Sequence, residues 1–474
     1  MDNPIIEKIK YDTNNISDMM YRKINKDKHT IYIVYNEPLT SGNNISDFIV
    51  RSIDNINIKK DPINSIYNSI NNFKVKKINK YDDILKNIYN GFTIIIIDEL
   101  NEFLALETKA NLSRSISTPN SENSLRGSKD SFVENYQTNI GLIKKRIKSK
   151  DLWIDNLNIG KYTDTNIGIV YINGVVKQEL LEKVKKKFEN INISGIIGSD
   201  EIKNLIDDET KSIFPTVLST ERPDLVCSSL LNGKIAIVVD NSPYVLVIPC
   251  VLNDYFKTPE DDYLKTYNAT FTRVLRYIAF VIALIAPGLY ITLITYNQEI
   301  LPTELLISFA IQRNGVPFPA FFEALTMIKS FEILRESDLR VPGFTGSSLS
   351  IVGALILGDA AVSAGIVSPI MIIVVALTAI CSLPFTEPEV IDSLRFYRIL
   401  FMIGGSFLGI IGIIFVFIFF CIRMTSLDSF GVPYLTPYAP INLTGLKNSI
   451  IKFPIKKLTK RENYLSNNII KQRR

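Results

Sequence analysis

Four apolar stretches in the second half of the chain constrain its fold more than any other feature. The first of them carries no charged residue and is about as long as the roughly 20 residues that a helix needs to cross a bilayer. We therefore predict an α-helical transmembrane domain over residues 266–440. Its four predicted spans cover residues 277–296, 348–365, 367–384 and 399–422.

Proline and glycine interrupt two of these spans. Pro287 lies near the middle of the first span and predicts a kink there, because proline removes a helix hydrogen bond. Such a kink is tolerated where neighbouring helices supply hydrogen-bond partners. Four glycines in the fourth span permit close contact with another helix, although lipid-facing packing gives a similar pattern. They are Gly404, Gly405, Gly409 and Gly412.

Positive charge flanks the predicted spans. Ten basic and two acidic residues follow Ile422, and Arg273 and Arg276 directly precede the first span. An excess of Lys and Arg marks cytoplasmic segments, so we expect the N-terminal half and the tail, residues 441–474, to be cytoplasmic. Two cytoplasmic ends require an even number of crossings, which four spans satisfy. The basic tail either contacts anionic lipid or is solvated.

Residues 301–340, here called the elbow, mix apolar clusters with charged residues. The charges include Glu304, Arg313, Glu323, Lys329 and Glu332. This composition is too apolar for a solvated loop and too polar for a plain span. An interfacial elbow or a re-entrant helix pair fits it, and either could link the N-terminal half to the spans mechanically.

The N-terminal half is predicted to be soluble and to contain two similar α/β subdomains, over residues 1–150 and 151–265. In the first subdomain, short runs rich in β-branched residues at 31–35 and 93–97 predict buried strands. In the second, the apolar runs on both sides of Asn241-Ser242 predict a β-hairpin.

The residues that carry most enzyme and metal chemistry are sparse. The chain has one histidine, His29, in a polar run, and four cysteines without CxxC or metal-binding spacing. No phosphate-binding loop and no GxGxxG follows a predicted strand. We therefore predict no cofactor, no metal site and no enzyme activity. The net charge of +5 comes from mixed residues and gives no indication of nucleic-acid binding.

Several sequence blocks between about residues 115 and 440 form one ordered set. They are Glu221-Arg222-Pro223-Asp224, Asp261-Asp262-Tyr263, Pro317-Phe318-Pro319 with Glu323, residues 331–336, 350–355 and 358–362, and residues 429–437 with Gly431 and Pro433. The set resembles the GerA family, the A subunits of spore nutrient-germinant receptors. Residues before about 111 match that family only in general character.

Residues 111–130 allow two interpretations. They are rich in Ser, Asn and Pro, and composition alone predicts a flexible linker. The resemblance implies order instead, because a block matching an ordered part of the family begins there. Its matching residues are Arg126, Gly127, Phe132, Glu134 and Asn139.

The resemblance implies a role in bacterial spore germination and a place in the spore's inner membrane. It implies two partners, a transporter-like B subunit that senses nutrients and a lipoprotein C subunit. It also implies self-association, as a pentamer, around a cation pathway that a nutrient signal opens. A related A-type subunit of the spore dipicolinate-channel operon shares these motifs and stays an alternative.

Asp359 is the residue for which the sequence predicts a role in a pore. A charged side chain near the middle of an apolar span costs about 3 kcal/mol and normally faces a cavity, a pore or a buried partner. On a helix, Ser348, Leu355 and Ser363 fall near the same face. We predict that this face lines a cation path in an oligomer. The alternative is a protonated or hydrogen-bonded Asp359 that only joins two helices.

The elbow supplies a second set of candidate residues, which would couple the N-terminal half to the spans. They are Pro317, Pro319, Glu323, Glu332, Arg335 and Glu336. The alternative for the charged residues is an amphipathic helix at the lipid headgroups, and the prolines would then only redirect the chain. For Arg222 and Asp224 we predict a structural cap.

Two other classes of function stay open from the sequence. A secondary transporter would explain the kinked first span and the acid inside a span, but the inverted repeats typical of that class are not visible. A non-conducting scaffold that anchors its partners would make Asp359 purely structural.

Overall fold

The N-terminal half of the chain contains two β-sheets, and the C-terminal half is mainly helical. A computed structural model describes residues 3–27, 29–56, 61–70, 74–98, 100, 102–110, 122, 127–207, 212–340, 358–454 and 460–466, without the side chains of 338–340. The predicted linker over residues 111–130 lies mostly outside these ranges, as do Ser348 and Leu355.

The first sheet is antiparallel and has the strand order β1-β2-β4-β5-β3. Its strands are β1 (Met19–Lys26), β2 (His29–Asn36), β3 (Val75–Ile78), β4 (Phe92–Ile97) and β5 (Phe103–Glu107). Side chains alternate between the two faces of a strand, so Ile94 and Ile96 enter one core and Ile95 and Ile97 the other. Because both faces are covered, β4 is buried throughout, and the predicted strands at 31–35 and 93–97 are confirmed.

Short helices cover both faces of this sheet. They are α1 (Pro4–Asp12), α2 (Gly42–Asn44), a π-helical segment (Ile45–Val50), α3 (Arg51–Asp54), α4 (Pro62–Ser69) and α5 (Tyr81–Ile88). Helices α1 and α5 supply one core, and the segment from α2 to α4 supplies the other.

The second sheet repeats this strand order as β6-β7-β9-β10-β8. Its elements are α6 (Tyr136–Arg146), β6 (Leu152–Ile159), β7 (Thr165–Ile172), α7 (Gln178–Glu189), α8 (Ser199–Ile206), β8 (Leu218–Thr220), α9 (Pro223–Asn232), β9 (Ile235–Val239) and β10 (Val245–Ile248). β9 and β10 pair antiparallel, which confirms the predicted hairpin. We call the unit from α1 to β5 the first module and the unit from α6 to β10 the second module.

The helical domain follows the second module. Its elements are α10 (Glu260–Tyr263), α11 (Thr266–Thr295), α12 (Thr303–Arg313), α13 (Ala320–Arg340), α14 (described over residues 358–363), α15 (Pro369–Ser382), α16 (Pro388–Ser426), β11 (Asp428–Ser429), β12 (Val432–Pro433) and α17 (Leu443–Leu446). Among the described residues, α11 and α16 are long and apolar enough to cross a membrane. With 14 residues, α15 is apolar but shorter. The count of four crossings stays a prediction.

One hydrophobic core joins the second module to the helical domain. Val170, Val238 and Val247 point from one face of the second sheet into the same cluster as Phe280 of α11 and Phe401 of α16. Between them, the ring of Phe214 lies 5.6 Å from that of Tyr397 and 6.0 Å from that of Phe420. The second module is therefore packed directly onto the helices.

The fourth predicted span, over residues 399–422, is wrong as a single crossing, because α16 reverses direction at Gly409. That residue has φ 60° and ψ −139°, which is not helical. The rings of Tyr397 and Phe420 lie 4.9 Å apart, although a continuous helix would separate these residues by about 35 Å. α16 is thus a hairpin of two arms, residues 388–408 and 410–426.

The glycines of α16 explain this hairpin. A Cβ atom on Gly404 would lie 2.9 Å from the carbonyl oxygen of Gly412, so the two arms touch through their backbones. The predicted close helix contact is therefore made within α16 itself. At the tip, the Ile410 N–H donates to the Asn297 side chain over 3.1 Å, which fixes the reversal to the end of α11.

The elbow consists of α12 and α13, and α13 packs along α15. Ala324, Met327 and Ile328 of α13 share a core with Met371 and Val375 of α15. The α13 helix therefore packs lengthwise on α15, and the choice between an interfacial elbow and a re-entrant pair stays a prediction.

Replacing Gly409 by Ala should open the α16 hairpin. Its Cβ would lie 2.9 Å from both Asn297 Oδ1 and Tyr296 Cβ, and the backbone conformation is strained for an L-residue. We expect G409A to reduce the free energy of unfolding by about 2 kcal/mol or more. Thermal unfolding of the purified protein in detergent measures it.

Gly315→Ala is the matched control for this variant. Gly315 also has a positive φ of 94°, but a Cβ there would meet nothing within 4 Å. G315A should lower the free energy of unfolding by only about 1 kcal/mol. Equal losses in the two variants would contradict the hairpin.

Candidate functional site

Asp359 and Ser363 lie together on the exposed face of α14. The opposite face packs inward, because Ala361 is buried and a Cβ on Gly358 would lie 3.8 Å from Ile372. No ion pair of Asp359 occurs among the described residues. The structure thus brings together two of the four predicted pore residues, while Ser348 and Leu355 fall outside the ranges it describes.

Glu323 joins the three helices of the elbow region. Its carboxylate is completely buried and accepts hydrogen bonds from Arg313 Nη2 over 3.1 Å and from Ser368 N and Oγ over 3.1 and 2.9 Å. Ser368 is the N-cap residue of α15. Because helix N-termini favour negative charge, Glu323 holds the start of α15 against α12 and α13.

The remaining elbow candidates divide into two groups. Pro317 and Pro319 lie in the exposed turn between α12 and α13, as expected for residues that redirect the chain. Glu332 points towards α16, where its Oε2 lies 2.5 Å from Arg395 Nη2. Arg335 is half-buried beside this ion pair, and Glu336 is exposed.

Arg398 is a candidate that the sequence analysis missed. Its guanidinium is buried in the helical domain, where Nε donates to the Ala283 carbonyl over 2.8 Å and Nη2 donates to Ser382 Oγ over 2.9 Å. Ala283 lies four residues before Pro287, so proline leaves its carbonyl without a helix donor. The kink at Pro287 could have prompted a search for such a donor on a neighbouring helix.

Asp261 forms the ionic centre of the junction between the second module and α11. Its carboxylate is fully buried and lies 2.7 Å from Arg273 Nε and 3.0 Å from Arg276 Nη1. Burial alone would raise the pKa of Asp261, but hydrogen bonds from Arg276 and Arg273 hold it below its usual value. Both arginines were predicted to flank the first span on its cytoplasmic side.

The C-terminal segment is attached to this junction. Arg273 Nη1 donates to the carbonyls of Asn448 and Ser449, and the hydroxyls of Tyr277 and Tyr438 lie 2.7 Å apart. Further along, Arg461 Nε donates to the Leu231 carbonyl over 2.7 Å. The described part of the tail therefore packs on the second module and α11. A solvated tail, which was one of the two expectations, does not describe this part of the chain.

The Glu221-Arg222-Pro223-Asp224 block holds Glu122, Ser128 and Ser131 against the second module. Arg222 makes a two-pronged contact with Asp224, over 3.1 and 2.7 Å, and donates to the carbonyls of Glu122 and Ser128. Glu221 Oε1 accepts from the Glu122 N–H over 3.1 Å. Pro223 starts α9. The block therefore has a structural role, but Arg222, the N-cap residue of α9, makes no side-chain capping hydrogen bond, so the predicted cap takes the form of a tie between chain segments.

The closing motif returns the chain to the second sheet. After α16, Ser429 Oγ donates to the Thr216 carbonyl over 2.7 Å and accepts from the Cys250 N–H over 2.9 Å. Gly431, with φ 90°, forms the turn between β11 and β12, and Pro433 lies in β12. Both ends of the α16 hairpin thus lie at the second module.

Comparison with known proteins gives consistent matches along the chain. The family model described as Bacillus/Clostridium GerA spore germination protein matches residues 7–464. Spore germination protein KA of Bacillus subtilis (strain 168) is 38% identical over 458 residues, which are 95% of this chain and 84% of that protein. Spore germination protein A1 of the same organism is 34% identical over 433 residues, 91% and 89% of the two chains.

A solved structure also matches. It is the crystal structure of the N-terminal domain of the A subunit of the Bacillus megaterium spore germinant receptor GerK3, with 28% sequence identity and a TM-score of 0.41. The match covers 52% of this chain and 94% of that one.

The two modules and the helical domain therefore form a protein of the spore-germination class. The chain belongs to the GerA family of spore germination proteins. Among the described residues, no group of three or more His, Cys, Asp or Glu is placed to hold a metal ion.

Replacing Asp261 by Asn should destabilise the junction, because two buried arginines lose their counter-ion. Breaking a buried ion pair costs about 3–5 kcal/mol. Since the pKa of Asp261 is lowered by folding, its contribution is present above the unfolded pKa of about 3.9 and is lost as the pH falls below that value. Thermal unfolding in detergent between about pH 5 and pH 3 should therefore show a flatter pH dependence for D261N than for the wild type.

Asp262→Asn is the control, because the Asp262 side chain is 64% exposed and lies 3.9 Å from Lys452. Its effect should stay within about 0.5 kcal/mol. The same pH dependence in D261N and the wild type would rule out Asp261 as the group that titrates.

Proposed function

We propose that the chain is the membrane-embedded A-type subunit of a nutrient-responsive spore germination receptor, and that it assembles into a ring that conducts cations. The position of Asp359 carries this proposal. Its carboxylate is exposed on α14, and the neighbouring helical surface is apolar, with Ile366 43% and Ile373 65% exposed.

An acid on such a surface cannot face lipid without cost. Placing it in hydrocarbon costs about 3 kcal/mol, so the face that carries Asp359 and Ser363 requires water or another polar surface. In a ring of subunits, that face would turn inwards. Repeated carboxylates around a central path would attract cations and repel anions.

The topology that we propose follows from the same helices. The long apolar helix α11 and the two arms of the α16 hairpin would cross the spore's inner membrane, and the exposed apolar side chains of α16 would face lipid or neighbouring subunits. The packing of the C-terminal segment on the second module supports a common, cytoplasmic side for the N-terminal half and the tail.

Gating would pass through partner subunits. We propose that these partners are a transporter-like B subunit and a lipoprotein C subunit. A nutrient signal would shift a closed–open equilibrium of this chain. To move that equilibrium decisively, the signal needs several kcal/mol of differential binding. Glu323, at the meeting point of α12, α13 and α15, is placed to transmit it.

Replacing Asp359 by Asn should reduce cation selectivity. The substitution keeps the shape and removes the charge, so a ring of neutral amides would attract cations less. We expect the ratio of cation to anion flux in reconstituted liposomes to fall at least about tenfold, the effect of about 1.4 kcal/mol. Oligomer mass, measured in parallel, checks that the ring persists.

Glu304→Gln is the matched control, since Glu304 is an exposed acid on α12. Its flux and selectivity should equal those of the wild type. Unchanged selectivity in D359N would exclude Asp359 from the path. A folded oligomer that conducts nothing, alone or with its partners, would favour a scaffold.

A further inference from the structure

The carbonyl of Ala283 has no backbone donor at residue 287 of α11, and a side chain of another helix donates to it instead. In a regular helix it would accept from the N–H of residue 287, but Pro287 has no N–H. Arg398 of α16 donates to it instead, over 2.8 Å. The hydrogen bonding of α11 at this point therefore depends on a side chain of a different helix.

Arg398 itself is held mainly by neutral oxygens. Its side chain is 5% exposed, and its two hydrogen bonds go to the Ala283 carbonyl and the Ser382 hydroxyl. The Glu332 carboxylate lies 4.0 Å away, beyond hydrogen-bond distance, and is engaged by Arg395 at 2.5 Å. A buried guanidinium thus has a carboxylate near it that it does not yet bind.

We propose that Arg398 is a positioning residue that couples α13 of the elbow to α11 at Pro287. In the arrangement seen here, Arg398 Nε donates to the Ala283 carbonyl that Pro287 leaves without a helix donor. A small shift of α13 would bring Glu332 within hydrogen-bond distance of Arg398 Nη1. Because a buried carboxylate attracts a guanidinium more strongly than a neutral carbonyl does, Glu332 would then turn the guanidinium away from Ala283 and let α11 bend.

This inference deepens the proposed function, since bending α11 would be the step by which elbow movement changes the cation path. Three helices meet at Arg398: α11 through Ala283, α15 through Ser382 and α13 through Glu332.

The first test is a double-mutant cycle that does not depend on conduction. Arg398→Met removes the donor, and Pro287→Ala restores a backbone N–H for Ala283. We expect R398M alone to lower the unfolding temperature in detergent, and at least half of that loss to disappear in the Pro287→Ala background. Additive effects of the two substitutions would contradict the claim that Arg398 supplies the hydrogen bond that Pro287 removes.

The second test measures coupling through the bend of α11. Spin labels at Phe271→Cys and Leu289→Cys, both exposed positions on opposite sides of Pro287, report the bend in a background without native cysteines. Arg395→Leu frees Glu332 to compete for Arg398. It should shift the distance distribution by more than its wild-type width, and adding Glu332→Gln should reverse the shift.

Lys329→Gln, an exposed position on α13, is the control and should leave the distances unchanged. An unaltered distribution in R395L would show that Arg398 is only structural and overturn the coupling. If the distances shift while the protein conducts nothing in liposomes with its partners, the coupling stands and the proposed cation path fails.

Discussion

The hydrophobic core between the second sheet and the helices is the interaction on which the rest of the structure depends. Both modules have the same strand order, and each covers both faces of its sheet with its own helices. In the first module the two cores end within the module. In the second module, α7 and α8 build the core on one face, while the core that α6 and α9 build on the other face continues into side chains of α11 and α16, among them Phe280 and Phe401. One copy of the repeated fold thus has closed cores, and the other shares a core with the helical domain.

Buried ion pairs fix how the chain enters and leaves that core. Asp261 binds Arg273 and Arg276 where α11 begins, and Lys203 binds Glu387 at 3.0 Å where α16 begins. Such pairs add little net stability over well-packed apolar groups, but each is costly to break because one charge then stays buried. They therefore specify which surfaces meet, while the apolar contacts provide the bulk of the stabilisation.

The sequence predicted the elements whose signal is local. The β-branched strands and the hairpin at Asn241-Ser242 follow from short patterns, and α11 follows from a charge-free apolar stretch. The repeated strand order could only be suspected, because pairing between distant strands leaves no mark on a short stretch of sequence. For the elbow, the mixed charges predicted something between a loop and a span, and they left its direction open.

Two features could not be predicted from the sequence, for a physical reason. Four glycines in an apolar run are compatible with helix contacts and with a reversal, and only the positive φ of Gly409 distinguishes the two. Arg398 stands just before the predicted fourth span and looked like a flanking charge. Its role depends on Pro287, more than a hundred positions earlier, which becomes its neighbour only after α11 and α16 have packed.

The continuous core also limits where this protein can change shape. Close-packed apolar interfaces switch between discrete arrangements and do not deform gradually, so the second module and the adjoining parts of α11 and α16 should move together. Movement must then be concentrated where polar groups can exchange partners. The described helical domain offers two such places, the Glu323 cap of α15 and the Arg398 contact with α11, and both have an acidic residue of α13 as a neighbour. A signal that displaces α13 would therefore reach both at once, without requiring any change in the core.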